Sequence, residues 1–174
     1  MKTYRLRVFY KKEGISRFIS HLSFCKLIER VLRRLNIPVK FSSGFTPHMK
    51  ISFGPPLPIP VEGINEFFEI EVEEVFDIND FIKRCNEILP EGVVIKNCYW
   101  VDKKYSQSSI YAIYTIPLNQ KILKENIEKF GRIIKEEENY IKVIFKLENF
   151  NHRKVFVGGL FDGIKREIII ENNG

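Results

Sequence analysis

Apolar and polar residues alternate along residues 3–10 (TYRLRVFY), with Tyr4, Leu6, Val8 and Tyr10 on one side and Arg5, Arg7 and Phe9 on the other. A repeat of two predicts a strand with one buried face. Residues 11–18 read as a loop, with Gly14 as the breaker. The period then changes. Over residues 20–36, Phe24, Ile28, Val31 and Leu35 recur at steps of four, three and four, flanked by Leu27 and Leu32. That spacing predicts an amphipathic helix, with Ser20 as its N-cap and Asn36 and Pro38 at its end. Lys26, Arg30, Arg33 and Arg34 fall on the opposite face, so the helix is expected to bury one stripe and show a cationic ridge.

Residues 39–63 hold five prolines and three glycines around two short strand-like pieces, VKF and KISF, and predict a semi-rigid extended loop. In residues 66–74, Phe68, Ile70 and Val72 alternate with Glu69, Glu71 and Glu73, a strand pattern. Residues 78–89 predict a short helix that turns Ile78, Phe81, Ile82, Cys85 and Leu89 inward and stops at Pro90. Residues 93–100 read as another strand. The order strand, helix, strand, strand, helix, strand is the ferredoxin-like, split βαβ plan. The expected fold is therefore α+β, an antiparallel sheet with helices on one face.

Past the polar stretch 102–109, read as a linker, residues 110–117 predict a strand and 119–135 a helix. Residues 139–148, 153–157 and 164–170 predict strands. This resembles a second, incomplete copy of the same plan, in pattern but not residue by residue. The expected division is an N-terminal ferredoxin-like domain at 1–101, a linker at 102–109 and a C-terminal half at 110–174.

Composition narrows the class. The chain has 174 residues, 44% of them apolar, with 15 Phe and 7 Tyr, enough to build a packed core in one large or two small domains. No apolar run approaches the roughly 18–20 residues of a membrane helix. The N-terminus lacks the apolar block of a signal peptide, so a cytoplasmic location and no membrane partner are expected. Cys25, Cys85 and Cys98 form no CxxC pair, and His21, His48 and His152 are scattered. No metal or other cofactor is expected from these spacings.

Charge changes the picture most. Residues 1–55 carry twelve Lys and Arg against Glu13 and Glu29, a balance of +10 in a chain of +6. So polarised a segment suits a polyanion, and RNA is the first candidate; a solvated basic face is the alternative. Arg17, Lys26, Arg30, Arg33, Arg34, Lys40 and Lys50, with Phe45 and His48, are the residues expected to contact it.

The run FISHLSFCKLIERVLRRLNIPVKFSSGFTPHMKISFGPPLPIPVEG carries a resemblance. Phe18, Ser20, His21, Leu22, Arg33, Arg34, Ile37, Pro38, Ser42, Gly44, Phe45, Pro47, Ile51, Ser52, Phe53, Pro56, Leu57 and Pro58 keep the spacing of the radical-SAM-linked protein family. That family is an uncharacterised bacterial domain found beside or fused to cobalamin-type radical SAM proteins. The resemblance covers residues 3–100 well and implies a radical SAM protein as partner. This chain departs from the pattern at Ser23, where the family usually has Asp, at Phe41, where Tyr is frequent, and at His48, where Arg is common. It has no CxxxCxxC run of its own to hold a four-iron cluster.

His21, at the start of the basic helix, is the candidate acid or base. A His there suits proton transfer at a 2′-hydroxyl, with an Arg or Lys on the phosphate. The tandem plan with a helix-start His is similar to that of CRISPR repeat-processing endoribonucleases. A packing or capping role for His21 is the alternative. The turn Gly44–His48 between Lys40 and Lys50 suits a phosphate held by backbone N–H groups, or is a proline-locked connector. Phe41, Phe45 and Phe53 are candidate stacking platforms, with Phe41 and Phe53 better suited to the core. VGGLFDG (157–163) reads as a hairpin turn rather than a nucleotide loop. Glu69, Glu71, Glu73 and Glu74 read as carboxylates on a solvent face, with a cation site as the alternative. Three functions stay open: an RNA-binding accessory protein without catalysis, a metal-independent endoribonuclease using His21, and a protein-docking module.

Overall fold

A computed structural model describes residues 2–102, 104, 110–118, 127, 131–147 and 163–170. The chain divides into two compact units. The first comprises 1–56 and 66–104, the second 57–65 and 105–174. Among the described residues there are two α-helices and eight strands, an α+β architecture. The strands pair in the order β4-β1-β3-β8-β5-β7-β6, with β2 on β3, a sheet larger than the four strands of one ferredoxin-like unit.

In the first unit, β1 (Tyr4–Lys12) pairs antiparallel with β4 (Val93–Trp100), and β2 (Ile51–Phe53) pairs antiparallel with β3 (Glu62–Val72). Arg5 meets Glu71, Arg7 meets Glu69 and Phe9 meets Phe67. Partner numbers that fall as β1 rises mean that β1 and β3 are antiparallel as well. The even residues of β1 and β3 face the core, where Leu6, Val8, Tyr10, Phe68, Ile70 and Val72 meet α1 (His21–Arg34) and α2 (Ile78–Ile88).

α1 buries Phe24, Ile28, Val31 and Leu32, the stripe its period requires. Ser20 caps it by accepting from the Ser23 N–H, and Asn36 leaves it with a φ of 52°, a left-handed turn that Asn tolerates. The Phe24 ring stacks on Tyr10 at 4.7 Å. Full burial of a side chain of this size contributes about 2–3 kcal/mol. Asp77 caps α2 by accepting from the Asp80 N–H. Cys85 and Cys98 are buried in this core, which pushes both thiols up to about 12. They stay neutral and unreactive at ordinary pH.

In the second unit, β8 (Lys165–Ile170) pairs in parallel with the first residues of β3, Glu62, Gly63 and Asn65. β5 (Ile110–Pro117) lies between β8 and β7 (Tyr140–Lys146), antiparallel to both, and β6 (Gly131–Glu136) pairs with β7. Its core holds Ile110, Ala112, Tyr114, Ile116, Val143 and Phe145.

Four expectations change. Residues 131–135, read as the end of a helix at 119–135, belong to β6: Ile134 completes a helical spacing, but the segment pairs with β7, Ile133 opposite Val143. Of 119–130, only Ile127 is described, and it is buried. The loop 11–18 contains a 3-10 helix at Gly14–Phe18. The extended loop 39–63 gives way to β3 at Glu62, where the strand begins four residues before its alternation becomes visible. Glu69 does not face solvent but is 1% exposed, because the outward face of β1 presents arginines to it. The linker residues 103 and 105–109, the strand at 153–157 and the glycines 158 and 159 lie outside the described residues.

Candidate nucleic-acid interface

Most of the cations of residues 1–55 fall into two sets. On the face of the first unit's sheet turned away from the helices, strand alternation lines up Arg5 and Arg7 of β1 against Glu69 and Glu71 of β3. Arg7 donates to Glu69 Oε1 from Nε at 2.9 Å and from Nη2 at 2.8 Å. Arg5 Nη2 donates to Glu71 Oε1 at 2.7 Å and its Nε lies 3.8 Å from Glu69 Oε2. Lys50 Nζ stands 3.3 Å from Glu71 Oε2. The hydrogen bond from Arg5, reinforced by Lys50, holds the Glu71 carboxyl below its ordinary range. Lys11 pairs with Glu13, and the buried Lys12 donates to the Ile19 carbonyl at 2.7 Å.

The second set is the α1 ridge. Lys26, Arg30, Arg33 and Arg34 are all exposed, and among the described residues none of them forms an ion pair. Positions 26, 30 and 34 follow one another by one turn, so the ridge runs for roughly 12 Å along the helix. Arg30 Nε donates to the Lys26 carbonyl at 3.3 Å, and the Arg33 guanidinium lies 5.7 Å over the Phe41 ring. Phe41 is exposed, against its expected place in the core, because its segment only bridges to Met49 and never enters the sheet. Phe45 is fully exposed at the tip of the same excursion.

This excursion is a narrow hairpin. The Lys40 N–H donates to the Glu71 carbonyl, the Lys50 N–H to the Lys40 carbonyl, and the Ser42 N–H to the His48 carbonyl. The His48 N–H is taken by Ser42 Oγ at 3.0 Å. Gly44 turns the tip with a φ of 133°, a conformation that a side chain would strain. Lys40 Nζ donates to Thr3 Oγ1 at 2.6 Å. Arg17, in the 3-10 turn, lies 5.0 Å over the Phe18 ring.

His21 opens α1, half-buried. Its Nε2 is 3.6 Å from Cys25 Sγ, and its ring meets Phe53 edge-on at 5.9 Å. Phe53 packs on Phe24 and Phe68, its expected core role. Burial, with Glu29 nearby, pushes the Cys25 thiol up. The structure therefore joins Arg33, Phe41 and the hairpin that carries Phe45 and His48, and places Lys50 with the sheet ion pairs.

Arg5, Glu69 and Glu71 come together, although the sequence pattern reads the two glutamates as carboxylates on a solvent face. With Lys50, His48 and Lys104 they line a cleft of about 320 Å³. The signal for it was present in two strands at once, two arginines on one face of 3–10 and two glutamates on one face of 66–74. Among the described residues no group of three His, Cys, Asp or Glu is placed to hold a metal ion, and no helix is long and apolar enough to cross a membrane.

Residues 5–155 match the family described as an uncharacterised protein conserved in bacteria, DUF2344. The chain belongs to this family. The DUF2344 match takes in α1, the hairpin and every residue of the cleft. No curated protein matches the chain.

Proposed function

We propose that this DUF2344 protein is an accessory RNA-binding protein, without chemistry of its own, that presents RNA to a radical SAM enzyme. One observation carries the RNA part. Among the described residues the four ridge cations of α1 hold no carboxylate, whereas Arg5, Arg7, Lys11 and Lys50 each hold one. An exposed cationic ridge with Arg33 over the exposed Phe41, and a hairpin that exposes Phe45, supply the two elements of single-strand recognition, a charged track and stacking rings. The radical SAM partner rests on the sequence resemblance. The same proposal reads both units as split βαβ folds. The first has the order β4-β1-β3-β2 and the second the order β8-β5-β7-β6, the same fourth-first-third-second arrangement.

The test is binding of total tRNA and of a short single-stranded RNA as salt is raised. Binding should weaken steeply with salt, and Arg30→Glu/Arg33→Glu/Arg34→Glu should lower it by about a hundredfold. Unchanged binding in that variant overturns the ridge. RNA cleavage that disappears in His21→Ala would replace the accessory role by an endoribonuclease. No binding to either RNA would leave protein docking.

A further inference from the structure

The cleft of the first unit has a charge balance that its own residues leave open. Glu69 is matched by Arg7. Of the remaining charged groups among the described residues that line it, Arg5, Lys50 and Lys104 are cations and Glu71 is the anion. The two oxygens of that one carboxylate already receive two of the three cations, Arg5 on Oε1 at 2.7 Å and Lys50 on Oε2 at 3.3 Å. Three positive charges against one leave a surplus of two. The hydroxyl-bearing residues Ser42 and Ser52, and His48, line the same space. A volume of about 320 Å³ is in the range of small-molecule sites.

We propose that this cleft binds a phosphate group and that Glu71 occupies it as an internal anion until the phosphate displaces it. A phosphate dianion meets the three cations more fully than the single Glu71 carboxylate does. Arg5 offers the planar fork that suits phosphate oxygens, and Lys50 and Lys104 supply point charges. Glu71 is partly exposed and sits on the side of the strand away from the core, so its side chain has room to swing out. A second cleft of about 380 Å³ shares Arg5 and is lined by Tyr4, Trp100, Lys2 and Asp102. Tyr4 and Trp100 meet edge-on at 6.4 Å. Aromatic faces with a carboxylate beside them suit a planar base with N–H donors. The phosphate is thus carried by a nucleotide or supplied as the free ion, and both sources share the chemistry of the first cleft.

The inference shares Lys50 and His48 with the residues expected to touch RNA, yet it rests on the cleft and not on the α1 ridge. Isothermal titration of the full chain with inorganic phosphate and with adenosine 5′-monophosphate tests it. Glu71→Gln should tighten phosphate binding by about tenfold, since it removes a like charge a few ångströms from the incoming anion. Lys50→Met/Lys104→Met, changes at a solvent-facing rim, should weaken it by at least as much. The ridge variant Arg30→Glu/Arg33→Glu/Arg34→Glu should leave it unchanged even where RNA binding is lost. Tighter binding of the monophosphate than of phosphate assigns a nucleotide to the two clefts, and equal binding assigns the free ion to the first. Phosphate affinity that stays the same or falls in Glu71→Gln, with the thermal melt showing a folded chain, overturns the proposal. So does equal loss in the ridge variant, which would mark diffuse charge attraction.

Discussion

The α1 ridge and the β1–β3 ladder are built from the same kinds of residue and behave in opposite ways. Both place cations at the period of their element. On the helix, the steps 26, 30, 33 and 34 are exposed and, among the described residues, meet no acid. On the strand, the steps 5 and 7 face a neighbour whose own period presents Glu69 and Glu71. Local charge therefore says little about whether a cation is available to a ligand. The pairing of elements decides it, and here it sets Arg5, Arg7 and Lys50 against carboxylates of their own unit.

The sharpest test of that difference is to break the ladder. Arg7→Ala leaves Glu69 Oε1 buried without its two donors, and should cost about 3–5 kcal/mol in urea unfolding. The double change Arg7→Met/Glu69→Leu removes both charges and should recover most of that loss. Equal destabilisation by the single and the double change would show that the ladder acts through packing rather than charge.

The ridge should respond in the other direction. Arg30→Glu/Arg33→Glu/Arg34→Glu should cost no more than about 1–2 kcal/mol, the share of two cations in the last turn of α1 and of the Arg33 contact with Phe41. On the proposed function it should lower RNA affinity by about a hundredfold at low salt. It should also flatten the dependence of log affinity on log salt by about 2, the share of three lost phosphate contacts on a single strand. A large stability loss in this variant would erase the contrast between the two regions.

The smallest effect falls on Glu71, at the solvent edge of the ladder. Its folded carboxyl lies below its ordinary range because Arg5 donates to it and Lys50 stands by. The stability this gives is present above the ordinary carboxylate range and is lost as pH falls through the lowered folded value. Solvent screens the pair, so Glu71→Gln should cost less than about 1 kcal/mol at pH 7 and should shallow the acid limb of the melting profile. A profile unchanged by the substitution would remove Glu71 from the acid response.

Elements with strong internal rhythm were legible in the chain alone. The stripe Phe24, Ile28, Val31 and the cap Ser20 delimit α1, and IYAIYTIP alternates over the full length of β5. What could not be read was set by distant partners. Ile134 follows Ile127 and Phe130 at helical spacing, and only the pairing of 131–136 with β7 overrides it. Glu69 reads as solvated because its arginine lies 62 residues away in the chain. Phe41 reads as core because its exposure follows from a hairpin closed by backbone bonds between residues 40 and 50, which no hydrophobic period records. The cleft inherits this difficulty, since it exists only once two polar strand faces and the hairpin are brought together.

β3 carries a practical consequence for anyone who would divide the protein. Its residues through Asn65 belong to the second unit and those from Glu66 to the first, within one unbroken strand. A fragment that begins at residue 105 therefore arrives without 57–65. β8 loses the neighbour on its outer side and presents a row of unpaired N–H and C=O groups, the template on which strands of separate molecules join. Such a fragment should self-associate unless the missing segment is returned as a peptide. During synthesis the same arrangement makes the second unit hold its first piece in waiting until β8, more than 90 residues later, leaves the ribosome.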